Sequence, residues 1–197
     1  FGTIHECGHG VYEQNIDSEL NGLPFSTGAS TAIHESQALF YENFIGRNNS
    51  FWKHNFALLK KYSPNQFGNV TVEEFIKMIN VVEPSFIRIE ADELTYPLHI
   101  MIRYEIEREL FDGDLQVEDL PKVWNDKYEE YLGIRPTNDV VGVLQDVHWS
   151  DGSFGYFPSY ALGFIYAAQW KAAMDKDIPN FDELLAEGNV TPIREWL

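Results

Sequence analysis

Cysteine is almost absent: Cys7 is the only one among 197 residues. No intrachain disulfide can form, and nothing in the cysteine usage points to secretion. Basic residues are scarce too, 14 Lys and Arg against 31 Asp and Glu, for a net charge of −17. A chain this acidic has no basic stripe to neutralise phosphates, which argues against nucleic acid or an anionic membrane as a partner. Its surplus carboxylates act as solubilising surface charge. They also make an arginine inside an apolar stretch conspicuous. Any apolar run long enough to span a bilayer is missing, as is a signal peptide. A cytoplasmic location is the expectation. The chain begins at Phe1, without an initiator Met and four residues before its first motif, which suggests a fragment of something longer.

What is present is a globular composition, 44% hydrophobic and 15% aromatic, long enough for one domain with a sizeable core. The periodicity predicts an all-α fold. Residues 1–15 read as a helix, weakened by Gly8 and Gly10 in a way that permits close packing. Residues 16–30 read as a loop. Ser30 or Thr31 caps a second helix through about Arg47, and Ser50 caps a third to Tyr62. Thr71 starts another. The segment from Pro84 to Asp112 is periodic throughout, with a kink expected at Pro97. A helix follows from Asp119 to Leu132 with Pro121 in its first turn. Residues 133–157 look irregular, with VVGVLQDVHW partly extended, a small β element near the site. An apolar helix from Tyr160 to Met174 and a short acidic helix close the chain. Repeats and linkers are absent, so residues 1–197 are expected to form a single domain.

The informative motif is His5-Glu6-Cys7-Gly8-His9, an HExxH pentapeptide. On a helix, positions i and i+4 share a face, so both imidazoles can reach one zinc ion. Glu6 then sits beside the metal without ligating it, which suits a base for a metal-activated water. Cys7 is turned about 200° from His5 and is expected to be small buried filler. A catalytic zinc site needs a third protein ligand, and Glu35, in His34-Glu35-Ser36-Gln37 after a GAST cap, is the candidate. His34 could point at the metal, but supporting a ligand or packing is the commoner role for such a neighbour.

Taken together, HECGHGVYEQN, AIHESQ followed by YEN, IRIEADELTYPLH and GVLQDVHWSDGSFGYFPSYALG resemble the M32 family of metallocarboxypeptidases. The similarity runs in order from residue 5 to about residue 170. It implies an all-helical, cleft-bearing metallopeptidase of the gluzincin type that removes C-terminal residues from peptides with broad specificity. It also implies dependence on zinc, with cobalt or manganese as alternatives, and a homodimer in the full-length protein. By the same resemblance His5, His9 and Glu35 are the metal ligands and Glu6 is the catalytic base. Arg88 receives the substrate's terminal carboxylate, a group that a planar guanidinium grips bidentately. Gln145, Asp146, His148 and Trp149 match the GxxQDxHW motif near the substrate. His148, with Tyr156 or Tyr160, is expected to stabilise the oxyanion.

Simpler roles compete with some of these. Arg88 could pair with Glu90 or Glu93, and either tyrosine could be a core aromatic. Asp92 and Asp146 are expected to orient neighbours rather than act on substrate. Two upstream family motifs, HPF and DxRxT, do not occur, so roughly the N-terminal half of a family member is expected to be missing. Cys7 stands where a bulkier residue such as Phe is usual, and Pro97 where Asn is expected. The alternatives in function are a metal-binding helical fragment without turnover, or a dipeptidase or endopeptidase on the same scaffold.

Overall fold

In the computed structural model, which describes residues 1–197, every regular element is helical and the fold is all-α. The first helix, α1 (Gly2–Gln14), carries the HExxH motif. Ser30 caps α2 (Thr31–Leu39), its hydroxyl accepting from the Ile33 N–H at 3.2 Å. The chain continues without a break into a π-helical stretch, Phe40–Gly46. Next comes α3 (Asn49–Tyr62), whose cap is Asn48 rather than the expected Ser50: Asn48 Oδ1 accepts from the Ser50 N–H at 2.7 Å. A single turn, α4 (Pro64–Phe67), precedes α5 (Val72–Ile79), which opens on a reciprocal Thr71–Glu74 capping box.

Beyond α5 the periodic segment 84–112 is not one kinked helix. Its first half is loop with a short 3-10 turn at Arg88–Glu90, and α6 spans only Tyr96–Asp112. Pro97 lies in the first turn of α6 and opens it, because proline lacks the N–H that a first turn leaves unsatisfied. The turn before it is organised by Asp92, whose carboxylate accepts from the Leu94 and Thr95 N–H groups and from the Thr95 hydroxyl, at 2.9, 3.0 and 2.7 Å. These bonds outweigh the effect of burial and hold the Asp92 pKa low.

After α7 (Leu120–Leu132) the chain turns irregularly to α8 (Phe157–Asp177), α9 (Phe181–Glu187) and α10 (Thr191–Trp196). The small β element expected within residues 140–149 does not form. Asn138 Oδ1 accepts from the Val140 and Val141 N–H groups, and the Asp139 carbonyl takes those of Gly142 and Leu144. Donors consumed locally in this way are lost to a ladder.

Two compact units emerge: Phe1–Asn80 with Leu162–Leu197, and Val81–Ala161. The first is built on Leu39, Phe40, Ile45, Met174, Leu185 and Ile193, with Ile4 and Val11 of α1 packed against them. Cys7, expected to be buried filler, is exposed, because α1 turns its Ile4–Gly8–Val11 edge inward. The second unit is built on Ile102, Ile106, Trp124, Tyr128 and Leu132 of α6 and α7. No helix is long and apolar enough to cross a membrane.

Candidate active site

Two glycines determine how the HExxH helix meets Glu35. A Cβ added at Gly8 would lie 2.6 Å from Ala38 Cα, so α1 rests directly on the backbone of α2. Gly10 has open space around it, and the close packing foreseen for both falls to Gly8 alone. From the other side, a Cβ at Gly163 of α8 would lie 2.8 Å from Glu35 Cγ. Only residues without a side chain allow these approaches.

The outcome is convergence. His5 Nε2 lies 3.7 Å from Glu35 Oε1, and His9 Nε2 lies 3.7 Å from Glu35 Oε2. One ligand atom from each of the three residues falls within 4.8 Å of the others, so this group could hold a metal ion. Donors about 2 Å from a common ion at tetrahedral angles stand roughly 3.4 Å apart; the two 3.7 Å contacts, which end on different Glu35 oxygens, are slightly wider. Glu35 is buried, and a buried carboxylate is costly without a cation or hydrogen bonds. The His₂Glu donor set therefore fits a divalent ion in both chemistry and spacing.

Hydrogen bonds on the far side of each ring aim the Nε2 atoms. His5 Nδ1 lies 2.9 Å from Glu42 Oε2. A carboxylate can only accept, so Nδ1 carries a proton, and in the neutral ring the lone pair is on Nε2, which faces Glu35. His9 Nδ1 meets His34 Nδ1 instead, and His34 Nε2 meets Glu13 Oε1 at 2.7 Å. Burial alone would lower the His5 pKa, but the Glu42 bond and the charges of Glu35, Glu42 and Glu6 outweigh it and raise it. Burial lowers that of His9, helped by the neighbouring His5 and His34 and opposed by Glu6. The pocket is thus rich in negative charge. Glu6 is exposed on α1, and its charge acts on both imidazoles.

In the second unit a chain of polar contacts gathers several of the other expected residues. Asp146 Oδ1 lies 2.8 Å from His148 Nδ1, and His148 Nε2 lies 3.1 Å from the Tyr160 hydroxyl. Beneath them the fully buried Arg103 of α6 donates Nε–H to Asp146 Oδ2. Burial alone would raise the Asp146 pKa, but Arg103 and the bonds from His148 keep it low. Arg88 turns to neither Glu90 nor Glu93. Its Nη1 donates to the Tyr96 hydroxyl at 2.5 Å, and its guanidinium lies 4.7 Å over the Tyr160 ring. Tyr156 packs edge-on against Tyr160 and beside His148.

Gln145 and Trp149 are committed to the protein itself. The Gln145 amide donates to the Phe86 carbonyl at 2.7 Å and to the Tyr128 hydroxyl at 2.9 Å. The Trp149 Nε1–H donates to Glu107 at 2.9 Å. Sequence reasoning passed over Glu42, Glu13 and Arg103. Glu42 lies inside the quoted YEN stretch and seven residues after Glu35, a spacing that signals a shared helix face. Arg103 is an arginine in the apolar run HIMIRYEI.

A helical fold in which an HExxH histidine pair meets a carboxylate from the next helix is an arrangement suited to a metal-binding helical protein. The family model for the carboxypeptidase Taq (M32) metallopeptidases matches residues 1–197, and the chain belongs to that family. It is 60% identical over 197 residues to carboxypeptidase 1 of Bacillus subtilis, covering 100% of this chain and 39% of that protein. Against thermostable carboxypeptidase 1 of Thermus thermophilus, identity is 44% over 196 residues, covering 100% of this chain and 38% of the relative. Among solved structures, the M32 carboxypeptidase from Deinococcus radiodurans R1 matches with a TM-score of 0.93 at 41% identity, over 99% of this chain and 39% of that one. The chain thus spans under two fifths of the length of these relatives.

Proposed function

We propose that the protein is a metallocarboxypeptidase that hydrolyses the C-terminal bond of peptides, with broad tolerance for the side chain released. What carries the proposal is the spacing of His5, His9 and Glu35 around one point, together with membership of a metallopeptidase family. Zinc is the proposed ion, and cobalt or manganese would also suit the His₂Glu donors. A homodimer of the full-length protein, working in the cytoplasm, completes the proposal.

His5, His9 and Glu35 would hold a divalent ion, which would supply Lewis acidity for activating a water molecule. Glu6 takes a proton from that water as its oxygen adds to the carbonyl carbon. The same carboxyl returns the proton to the nitrogen as the C–N bond breaks. Arg88 binds the terminal carboxylate of the peptide bidentately. Its two tyrosine neighbours hold the guanidinium while leaving donors over. Tyr160 donates toward the oxygen that gains charge, and the Nε2 of His148, 3.1 Å from its hydroxyl, positions it. Asp146 orients His148 through Nδ1, Gln145 acts through the Phe86 backbone it holds, and Trp149 acts through the Glu107 carboxylate.

The test is Glu6→Gln in the full-length protein with metal occupancy measured alongside turnover. Loss of turnover by a factor of about 10² or more, roughly what a positioned base supplies, is expected with the metal retained. Near-normal turnover in the metal-loaded variant rules out the base. Amidation of the substrate's C-terminus separates exopeptidase from endopeptidase, since a carboxypeptidase should cleave the amide hardly at all.

A further inference from the structure

The two histidines proposed as ligands are supported in different ways. His5 leans on a carboxylate, Glu42. His9 leans on another imidazole, with Nδ1 2.5 Å from His34 Nδ1, and His34 in turn meets Glu13 through Nε2 at 2.7 Å. A carboxylate at the end of this line can only accept, so the hydrogen of a neutral His34 is on Nε2 and its Nδ1 is an acceptor. His9 must then donate from Nδ1, which leaves its lone pair on Nε2, the atom facing Glu35. His34 is consequently not itself a ligand, since both its nitrogens are engaged elsewhere.

The His34 ring is caged as well as hydrogen-bonded. Tyr12 lies against it with centroids 4.8 Å apart. The loop backbone presses on its other edge, where a Cβ at Gly28 would lie 2.8 Å from His34 Cδ2. That loop is tied back to α1 by the Ala29 N–H donating to the Tyr12 hydroxyl. The His34-Glu35 dipeptide at the start of α2 therefore contributes one carboxylate to the His₂Glu group and one support to His9.

We propose that His34 and Glu13 are positioning residues that set the His9 tautomer and hold its Nε2 toward the metal. The proposal rests on the metal site described above. Outer partners of this kind typically change metal affinity roughly 10- to 100-fold, and a wrong tautomer would present N–H where a lone pair is needed.

The experiment is competitive titration of the metal-free protein with Zn²⁺ against a chelating indicator. Metal-free melting temperatures are recorded in parallel. His9→Ala is expected to lose the stoichiometric site. His34→Leu is expected to bind Zn²⁺ roughly 10- to 100-fold more weakly while melting like the parent. His34→Asn, whose Oδ1 can accept where Nδ1 did, should stay within a few-fold of the parent. Glu13→Leu, at a half-exposed side chain, should weaken binding in the same direction. A parent protein that binds no stoichiometric Zn²⁺ overturns the metal site and the relay together. Intact binding in the parent with unchanged affinity in His34→Leu overturns the relay alone. Should His34→Leu fail to fold, Glu13→Leu decides, and parental affinity there overturns the proposal.

Discussion

Gly163 of α8 stands so close to Glu35 that a Cβ in its place would lie 2.8 Å from Glu35 Cγ and 2.9 Å from Leu39 Cδ1. The carboxylate is thus gripped from behind as well as faced by two imidazoles. Overpacking such a contact costs about 1–3 kcal/mol, and the better helix propensity of alanine returns at most about 1 kcal/mol. Gly163→Ala is therefore expected to be neutral to destabilising by about 2 kcal/mol. Its more specific effect is on the carboxylate, pushed off the line of His5 and His9. Melting with and without added Zn²⁺ checks this: the rise in melting temperature on adding metal should shrink in the variant. An undiminished rise would mean that Glu35 tolerates displacement.

Arg103 and Asp146 form an ion pair with both side chains essentially out of solvent, 0% and 2% exposed. Arg103 also donates to the His99 carbonyl and lies 4.6 Å over the Trp124 ring. Removing one member strands the other, which typically costs about 3–5 kcal/mol. Arg103→Leu and Asp146→Leu are each expected in that range by urea denaturation. The double variant should cost well under their sum, because no uncompensated charge remains. Strict additivity would show that the two charges are not coupled.

Tyr160 and Tyr156 both adjoin His148. The Tyr160 hydroxyl is 3.1 Å from His148 Nε2, and Tyr156 packs against the same ring with centroids 5.7 Å apart. If the Tyr160 hydroxyl, positioned by His148, is the oxyanion donor, Tyr160→Phe should lower kcat by about 10²-fold or more, the usual loss for one such donor. Tyr156→Phe should change it far less. Steady-state kinetics on the full-length protein decides, and the reverse order of effects would transfer the role to Tyr156.

Local spacing explains how much of this was legible in the sequence. The His5–His9 pair needs only the helical repeat, and Glu35 follows from the ligand count that zinc demands. Glu42 and Arg103 carry local signals, but their partners His5 and Asp146, like the His34 that Glu13 meets, depend on how separate segments pack, which no single segment encodes. Pro97 shows the opposite error. Apolar periodicity continues through FIRIEADELTY, yet Asp92 organises a turn there by bonding Leu94 and Thr95, and the proline starts a helix rather than bending one. In residues 140–149 the valines suggest extension, but Asn138 and Asp139 take the amides first. The division into two units has no signature in composition, because its borders at residues 80–81 and 161–162 fall between ordinary residues.

His99 ties stability to pH. It is fully buried, its Nδ1 lies 3.0 Å from the Tyr128 hydroxyl, and Nε2 has no partner. Burial first, then the positive charges of Arg103 and Arg88, with Asp92 opposing, push its pKa down to about 3. The folded chain therefore refuses a proton that the unfolded chain accepts below about pH 6.5. For a base with a depressed folded pKa the contribution is constant above about 6.5. Stability then falls as pH drops, by about 1.4 kcal/mol per unit down to about pH 3. Between about pH 7 and pH 5 this amounts to about 2 kcal/mol. His5, whose pKa is raised, contributes with the opposite sign, as do other groups with shifts of their own. The comparison must therefore be between variants. Urea unfolding of the metal-free parent and of His99→Gln at both pH values isolates the effect. The parent should lose about 2 kcal/mol more than the variant over this interval. Equal losses would show that His99 carries its proton in the folded state or is reached by water.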